Sequence, residues 1–177
     1  KASRYTSRRR LTEIAAKAAG RSPSPTFKAV GADNVSTGSM AGMRLIHHLR
    51  ERLGTQLAVW PFQDLRQYWP SVRLVLVEIF PSYYFYHAGM VPVKQAAARA
   101  AFLNRALGFY KSSGVAAQFI AKGADADEAD AIIAAAALRH FAQRTSKTMF
   151  ELPDSVALIA RQEGWIFGVD PIHAHSL

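Results

Sequence analysis

The chain has 177 residues, half of them hydrophobic, and its 22 Lys and Arg against 13 Asp and Glu give a formal net charge of +9. This length allows one domain with a sizeable core, and the absence of cysteine excludes disulfides and thiolate metal sites. No apolar run approaches the roughly 20 residues of a membrane span, and the N-terminus does not resemble a secretion signal. We therefore expect a cytoplasmic protein outside membranes. Its basic excess favours a polyanionic partner such as nucleic acid, although surface solubilisation explains that excess equally well.

The N-terminal part is predicted to be a basic arm followed by two helices. Residues 1–10 include Arg8, Arg9 and Arg10, and form either a mobile terminus or a contact for nucleic-acid phosphates. A first helix over 12–19 ends at Gly20, and a second runs from about residue 36 to 53. The apolar side of the second helix comprises Met40, Met43, Leu45, Ile46 and Leu49.

Two apolar runs, 56–62 and 72–81, predict short strands, and a proline stops each of them. The second run reads Val-Arg-Leu-Val-Leu-Val-Glu-Ile-Phe-Pro, a composition typical of a strand buried on both faces. The strands form either a hairpin or a parallel pair joined by a short crossover helix near 64–68. Glu78 lies inside the second run, so either the strand reaches water there or the carboxylate meets a cation.

The C-terminal half is predicted to be mainly helical. The aromatic cluster at 83–86 either packs into the core or stacks on exposed bases. The remaining predicted elements are helices over 93–110, 114–120, 125–143 and 152–161, a strand-like closure over 163–169 and a flexible tail over 170–177. The helix over 125–143 is apolar nearly all round, which describes a helix pressed against a sheet and its neighbours.

Three carboxylates are candidates for chemistry: Glu78 in the strand, and Asp127 and Asp130 at the start of the apolar helix. Clustered carboxylates suit Mg²⁺ or Mn²⁺, and two such ions can activate a water and stabilise the leaving oxygen in phosphodiester cleavage. A strand end and a helix start can converge at the carboxyl edge of an open α/β sheet. Alternatively, the two aspartates cap the helix and complement its dipole, which leaves Glu78 unexplained.

Six short segments in order resemble one known family. They are Gly-Ala-Asp-Asn-Val at 31–35, Gly-Ser-Met-Ala-Gly-Met at 38–43, Val-Trp-Pro-Phe at 59–62, Val-Glu-Ile-Phe-Pro at 77–81, Asp-Glu-Ala-Asp-Ala at 127–131 and Glu-Gly-Trp-Ile-Phe-Gly at 163–168. Together they resemble an uncharacterised family of predicted nucleases with a ribonuclease-H-like fold, related to Holliday-junction resolvases. The resemblance extends from about residue 8 to residue 169.

The resemblance implies one three-layer α/β/α domain over 1–177, helix-rich, with a metal-dependent nuclease site. It makes Glu78 and Asp130, with Asp127, the catalytic and metal-binding carboxylates for Mg²⁺ or Mn²⁺. Members of this superfamily usually supply a further Asp from their first strand, and none precedes Glu78 on a strand here. We therefore expect the first strands to be missing and the central sheet to be incomplete, which is consistent with a chain that begins at Lys1 rather than Met. The alternative is a non-catalytic nucleic-acid-binding or scaffolding domain of the same fold.

Overall fold

The computed structural model describes residues 9–26, 36–68, 70–90, 96–112, 126–144 and 150–175. Its α-helices are α1 Leu11–Ala18, α2 Ser36–Leu53, α3 Leu65–Tyr68, α4 Pro81–His87, α5 Ala96–Phe109, α6 Ala126–Arg144 and α7 Asp154–Glu163. Its strands are β1 Leu57–Val59 and β2 Leu74–Leu76. The chain is therefore a helix-rich α/β protein, as predicted. The helix predicted over 114–120 lies outside the described residues.

The two strands pair in parallel, with Leu57 opposite Leu74. Since α3 lies between them in the chain, the parallel alternative is correct and the hairpin is not. The prediction of a strand over 72–81 buried on both faces is wrong: β2 has three residues, Leu74 is 41% exposed, and Pro81 begins α4. Among the described residues β1 is the one full strand beside β2, so the apolar side chains of β2 are only partly covered.

The chain divides into two compact units, of which the first contains the residues up to Glu78 and those from Leu152 onward. In this unit α1 packs against α7 and against a 3₁₀ helix, Pro171–His175. That 3₁₀ helix lies in the segment that we expected to be a flexible tail. The largest fully buried side chains of the unit are Trp165, Leu57, Ile166, Glu13, Val156 and Thr12.

The second helix forms where it was predicted, but its exposed side was not predicted. It contacts β1 and the 3₁₀ turn at Gly54–Gln56. Ile46 and Leu49 are half-buried. The other three members of the predicted apolar side, Met40, Met43 and Leu45, are exposed, so the assignment of the apolar side is wrong for these three.

The second unit, Ile79–Glu151, contains α4, α5 and α6, with α6 packed against the other two. Tyr83, Tyr84 and Phe85 are buried, which confirms the packing interpretation for these three residues of the aromatic cluster, whereas Tyr86 is 40% exposed. Tyr110 closes this core: its hydroxyl donates a hydrogen bond to the backbone oxygen of Tyr84 (2.7 Å). Burial raises the pKa of Tyr110 above its ordinary value, and the nearby Tyr83 raises it further.

Candidate functional site

A buried arginine, Arg10, precedes α1 and binds two carboxylates. Its Nε donates to Glu13 Oε1 (2.8 Å), while Nη1 and Nη2 donate to the two oxygens of Glu78 (2.7 and 2.5 Å). Nη1 also donates to the backbone oxygen of Glu163 (3.1 Å). Arg10 is only 9% exposed, and its guanidinium donates these four hydrogen bonds within the protein. This position indicates a structural role for a residue that we had grouped with the phosphate contacts.

The carboxylate of Glu13 is completely buried and accepts several hydrogen bonds. Besides Arg10 Nε, it accepts hydrogen bonds from the Arg10 backbone N–H (3.2 Å) and from the backbone and hydroxyl of Thr26 (3.1 and 2.6 Å). Such partners are needed because a buried charge without them is costly. Burial lowers the pKa of Arg10, but hydrogen bonds and charge from Glu78 and Glu13 outweigh it and hold that pKa above its ordinary value.

Glu78 lies two residues beyond β2, where its backbone forms a parallel bridge with Ile166. The Phe167 N–H donates to the Glu78 backbone oxygen (2.9 Å), which confirms a strand-like closure in the segment 163–169. The side chain of Glu78 meets the cation Arg10 and is also 39% exposed. Both outcomes that the sequence allowed for this carboxylate therefore hold. The hydrogen-bond donors described at the Glu78 carboxylate belong to the Arg10 side chain.

Gly164 allows the chain to pass beside this ion pair. Its φ is +85°, a conformation that favours glycine. A Cβ at this position would lie 3.1 Å from Arg10 Nη1, 3.4 Å from Phe62 Cζ and 3.5 Å from Glu78 Oε2. Two of the segments that carry the resemblance, 59–62 and 163–168, therefore meet next to Glu78.

A second cluster in the same unit holds two arginines on one carboxylate. Asp64 Oδ1 accepts hydrogen bonds from the Arg66 backbone (3.1 Å) and Nε (3.0 Å). Oδ2 accepts from Arg66 Nη2 (2.9 Å) and Arg161 Nη2 (3.1 Å). The hydrogen bond from Arg66, together with the charges of both arginines, holds the pKa of the Asp64 carboxyl below its usual value despite the opposing effect of burial. The arginine side chains stay 65% and 43% exposed, so the cluster presents cations to solvent.

Phe62 is an exposed aromatic ring two residues before Asp64, and its Cζ lies near Gly164 beside the Arg10–Glu78 ion pair. It is 51% exposed, whereas Trp60 and Pro61 in the same turn are buried. On its other side, Gln63 donates its backbone N–H to the Val59 oxygen (3.2 Å), and its side chain accepts from the Val59 N–H (2.8 Å). The backbone on both sides of Phe62 is therefore held in place.

The remaining predicted site residues take no part in the hydrogen bonds described for these two clusters. Asp127 and Asp130 are in the first turns of α6, in the second unit, the former exposed and the latter half-buried. Arg9 Nη1 donates to the Pro23 oxygen (2.5 Å), and Arg8 lies outside the described residues. No group of three His, Asp or Glu that could hold a metal ion occurs in the described part of the chain.

Glu13, Asp64, Arg66 and Arg161 were not among the predicted site residues, and Arg10 was predicted to contact phosphates. The spacing of Arg10 and Glu13 is that of a capping box, a local signal for a carboxylate at the start of a helix. Asp64 and Arg66 are also close in sequence, but Arg161 follows 97 residues after Asp64, so no local pattern connects them. Phe62 was assigned to a strand, although it lies in the turn after β1.

Comparisons with protein-family models, with curated proteins and with solved structures found no match to this chain. Among the described helices, none has the length and apolar character required to cross a membrane.

Proposed function

We propose that this protein binds nucleic acid and that Arg66 and Arg161 contact its phosphates. The observation that carries the proposal is the pair of exposed guanidiniums fastened to Asp64 Oδ2. The three side chains together keep one positive charge. Arg161 uses only Nη2 for a hydrogen bond within the described part of the chain, which leaves Nε and Nη1 for a ligand.

The physical case rests on charge and on restricted side chains. Phosphate contacts from Lys and Arg supply most of the affinity of non-specific nucleic-acid binding, and the net charge of +9 favours such a partner. A long side chain that is already held loses less conformational freedom when it binds, and the planar guanidinium matches two phosphate oxygens. Asp64 therefore prepares the two arginines for binding as well as neutralising one of their charges.

The test measures binding at a series of salt concentrations. The ligands are a labelled duplex of 20 nucleotides per strand and the corresponding single strand, and fluorescence anisotropy reports their binding. The variant Arg66→Gln/Arg161→Gln is compared with Arg44→Gln/Arg52→Gln, in which two exposed arginines of α2 are replaced. Both variants lose the same charge, so a difference between them reports position. The plot of log K against log salt has a negative slope, and each lost phosphate contact makes it shallower by about 0.9 on duplex and about 0.7 on single strands.

We expect the Arg66/Arg161 variant to bind more weakly than the wild type, with a salt slope made shallower by the loss of nearly two phosphate contacts. The affinity and salt slope of the α2 variant should change less. Equal losses in both variants would mean that net charge alone attracts the nucleic acid. Absence of binding by the wild-type protein at low salt would refute the proposal.

A second proposal is the metal-dependent nuclease activity, with the ribonuclease-H-like fold, that the resemblance implies. It is favoured by the 39% exposure of the Glu78 side chain: a carboxylate has about four lone-pair positions, and Arg10 uses two of them. In this proposal Glu78, Asp127 and Asp130 are ligands for Mg²⁺ or Mn²⁺.

Cleavage of single-stranded, duplex and branched substrates with Mg²⁺ or Mn²⁺ tests the second proposal. We expect Glu78→Gln and Asp130→Asn to abolish cleavage, and Asp127→Asn to reduce it. Asp154→Asn, at an exposed carboxylate at the start of α7, is the control. Binding without cleavage by the wild-type protein would leave a non-catalytic nucleic-acid-binding protein, and cleavage unchanged in all variants would refute the assignment of these residues.

A further inference from the structure

We propose that Phe62 stacks on an unpaired base, so that the preferred ligand is single-stranded nucleic acid; this inference rests on the proposed nucleic-acid binding. Phe62 is 51% exposed in the turn that follows β1. An exposed aromatic ring can stack on any base, because every base has a π-face.

The turn restricts the position of the ring. Buried Trp60 packs edge-on against Phe167, with ring centroids 5.4 Å apart, and Pro61 is also buried. Gln63 is tied to β1 through two hydrogen bonds. Since the flanking residues are held, the ring is presented on a fixed backbone, and little backbone entropy is lost when a ligand binds.

The ring and the arginine pair belong to the same part of the unit. Phe62 precedes Asp64 by two residues, so their Cα atoms lie at most about 7 Å apart. Phe62 Cζ also lies beside Gly164, and Gly164 follows Arg161 by three residues. We therefore expect a strand whose phosphates contact Arg66 and Arg161 to have bases within reach of Phe62.

A duplex does not offer this contact, because its bases are paired and stacked on one another. The arginine pair contacts phosphates and is available to both duplex and single strand. The ring gains only from an exposed base, and such stacking is worth about 1–3 kcal/mol per base, or about 5- to 150-fold in affinity. The two features together predict a preference for single strands.

The experiment measures binding of labelled 20-nucleotide oligo-dT, oligo-dA and a mixed-sequence duplex at one low salt concentration. The variants are Phe62→Ala, Phe62→Leu and Phe62→Trp. Leucine keeps apolar bulk but has no π-face, whereas tryptophan keeps the π-face. Leu158→Ala, at a 68% exposed position of α7, is the control for loss of an exposed apolar side chain, and circular dichroism checks that each variant is folded.

We expect Phe62→Ala and Phe62→Leu to weaken single-strand binding about fivefold or more and to change duplex binding less than twofold. Phe62→Trp should bind single strands at least as well as the wild type, and quenching of the new tryptophan's fluorescence by the bases would report the stacking. If all three variants bound single strands as tightly as the wild type, the role of Phe62 would be overturned. If the Arg66/Arg161 variant still showed its loss, the proposed function would survive that result. Absence of wild-type binding to any oligonucleotide would overturn both.

Discussion

Replacing Arg10 by methionine tests whether the buried ion pair stabilises the first unit. Methionine keeps much of the apolar volume but provides no hydrogen-bond donors, so Glu13 loses its charged partner while its carboxylate stays fully buried. Removing one partner of a buried pair costs about 3–5 kcal/mol, because the other charge is left uncompensated. We expect Arg10→Met to lower the free energy of unfolding by about this amount.

The two carboxylates should respond differently, because their exposure differs. The side chain of Glu78 is 39% exposed, against 0% for Glu13. In Glu78→Gln the amide oxygen still accepts one hydrogen bond from Arg10, and exposed ion pairs contribute only about 0.2–1 kcal/mol. We therefore expect Glu78→Gln to cost about 1 kcal/mol. Adding Glu13→Gln to Arg10→Met should restore stability, because it removes the uncompensated charge.

These differences in the free energy of unfolding are measured by urea titration, with tryptophan fluorescence as the signal and linear extrapolation to zero denaturant. Trp60 and Trp165 are both buried in the first unit, so the signal reports on the region around Arg10. A stabilising role for the buried ion pair is refuted if Arg10→Met lowers the free energy of unfolding no more than Glu78→Gln does. It is also refuted if Arg10→Met/Glu13→Gln is less stable than Arg10→Met alone.

Three further predictions concern positions where the structure shows a specific constraint. Gly164→Ala should cost about 1–3 kcal/mol and more than Gly54→Ala, measured by thermal unfolding, because both glycines have positive φ but only the former has Arg10 next to the added Cβ. Removing the Tyr110 hydroxyl in Tyr110→Phe should cost about 1 kcal/mol. Because the pKa of this phenol is raised, the wild type loses stability as pH rises above 10.0, and the difference from the variant should shrink there. Asp64→Asn should be less stable than the wild type at neutral pH by no more than about 1 kcal/mol. Because the pKa of Asp64 is lowered from 3.8, this difference should vanish as pH falls through that lower value; a constant difference would contradict the assignment.

The sequence predicted α1, α2, α5, α6 and α7 because their signals are local, but it did not predict α4, where an aromatic cluster follows Pro81. The apolar composition of α6 and the glycine after α1 are properties of neighbouring residues. Burial of β2 was predicted wrongly, because an apolar run shows that a strand can be buried but not how many neighbours cover it. The predicted burial of Met40 and Met43 was wrong for a similar reason. Helical spacing places the two side chains on one side of α2 but does not determine which side of α2 faces the protein.

Glu78 shows the same division between local and distant information. The cost of burying a carboxylate led to the correct pair of alternatives, water or a cation. The cation itself, Arg10, is 68 residues earlier in the chain and stands in a run of basic residues that looked like an arm. A run of three arginines gives no sign of which one is buried, since that depends on where Glu13 and Glu78 meet in the folded chain.

Two of the segments that carry the resemblance, 77–81 and 163–168, have a structural explanation beside the proposed catalytic one. Gly164 passes beside the ion pair, Phe167 binds the backbone of Glu78, and the carboxylate of Glu78 neutralises Arg10. Packing would require these residue types with or without chemistry at the site. Loss of cleavage in Glu78→Gln is therefore ambiguous, because that substitution also weakens a structural ion pair. Asp130→Asn is the more decisive variant, because the partners of the Arg10 side chain in the described part of the chain all lie in the first unit. A loss of cleavage in this variant with unchanged stability would have to come from the chemistry.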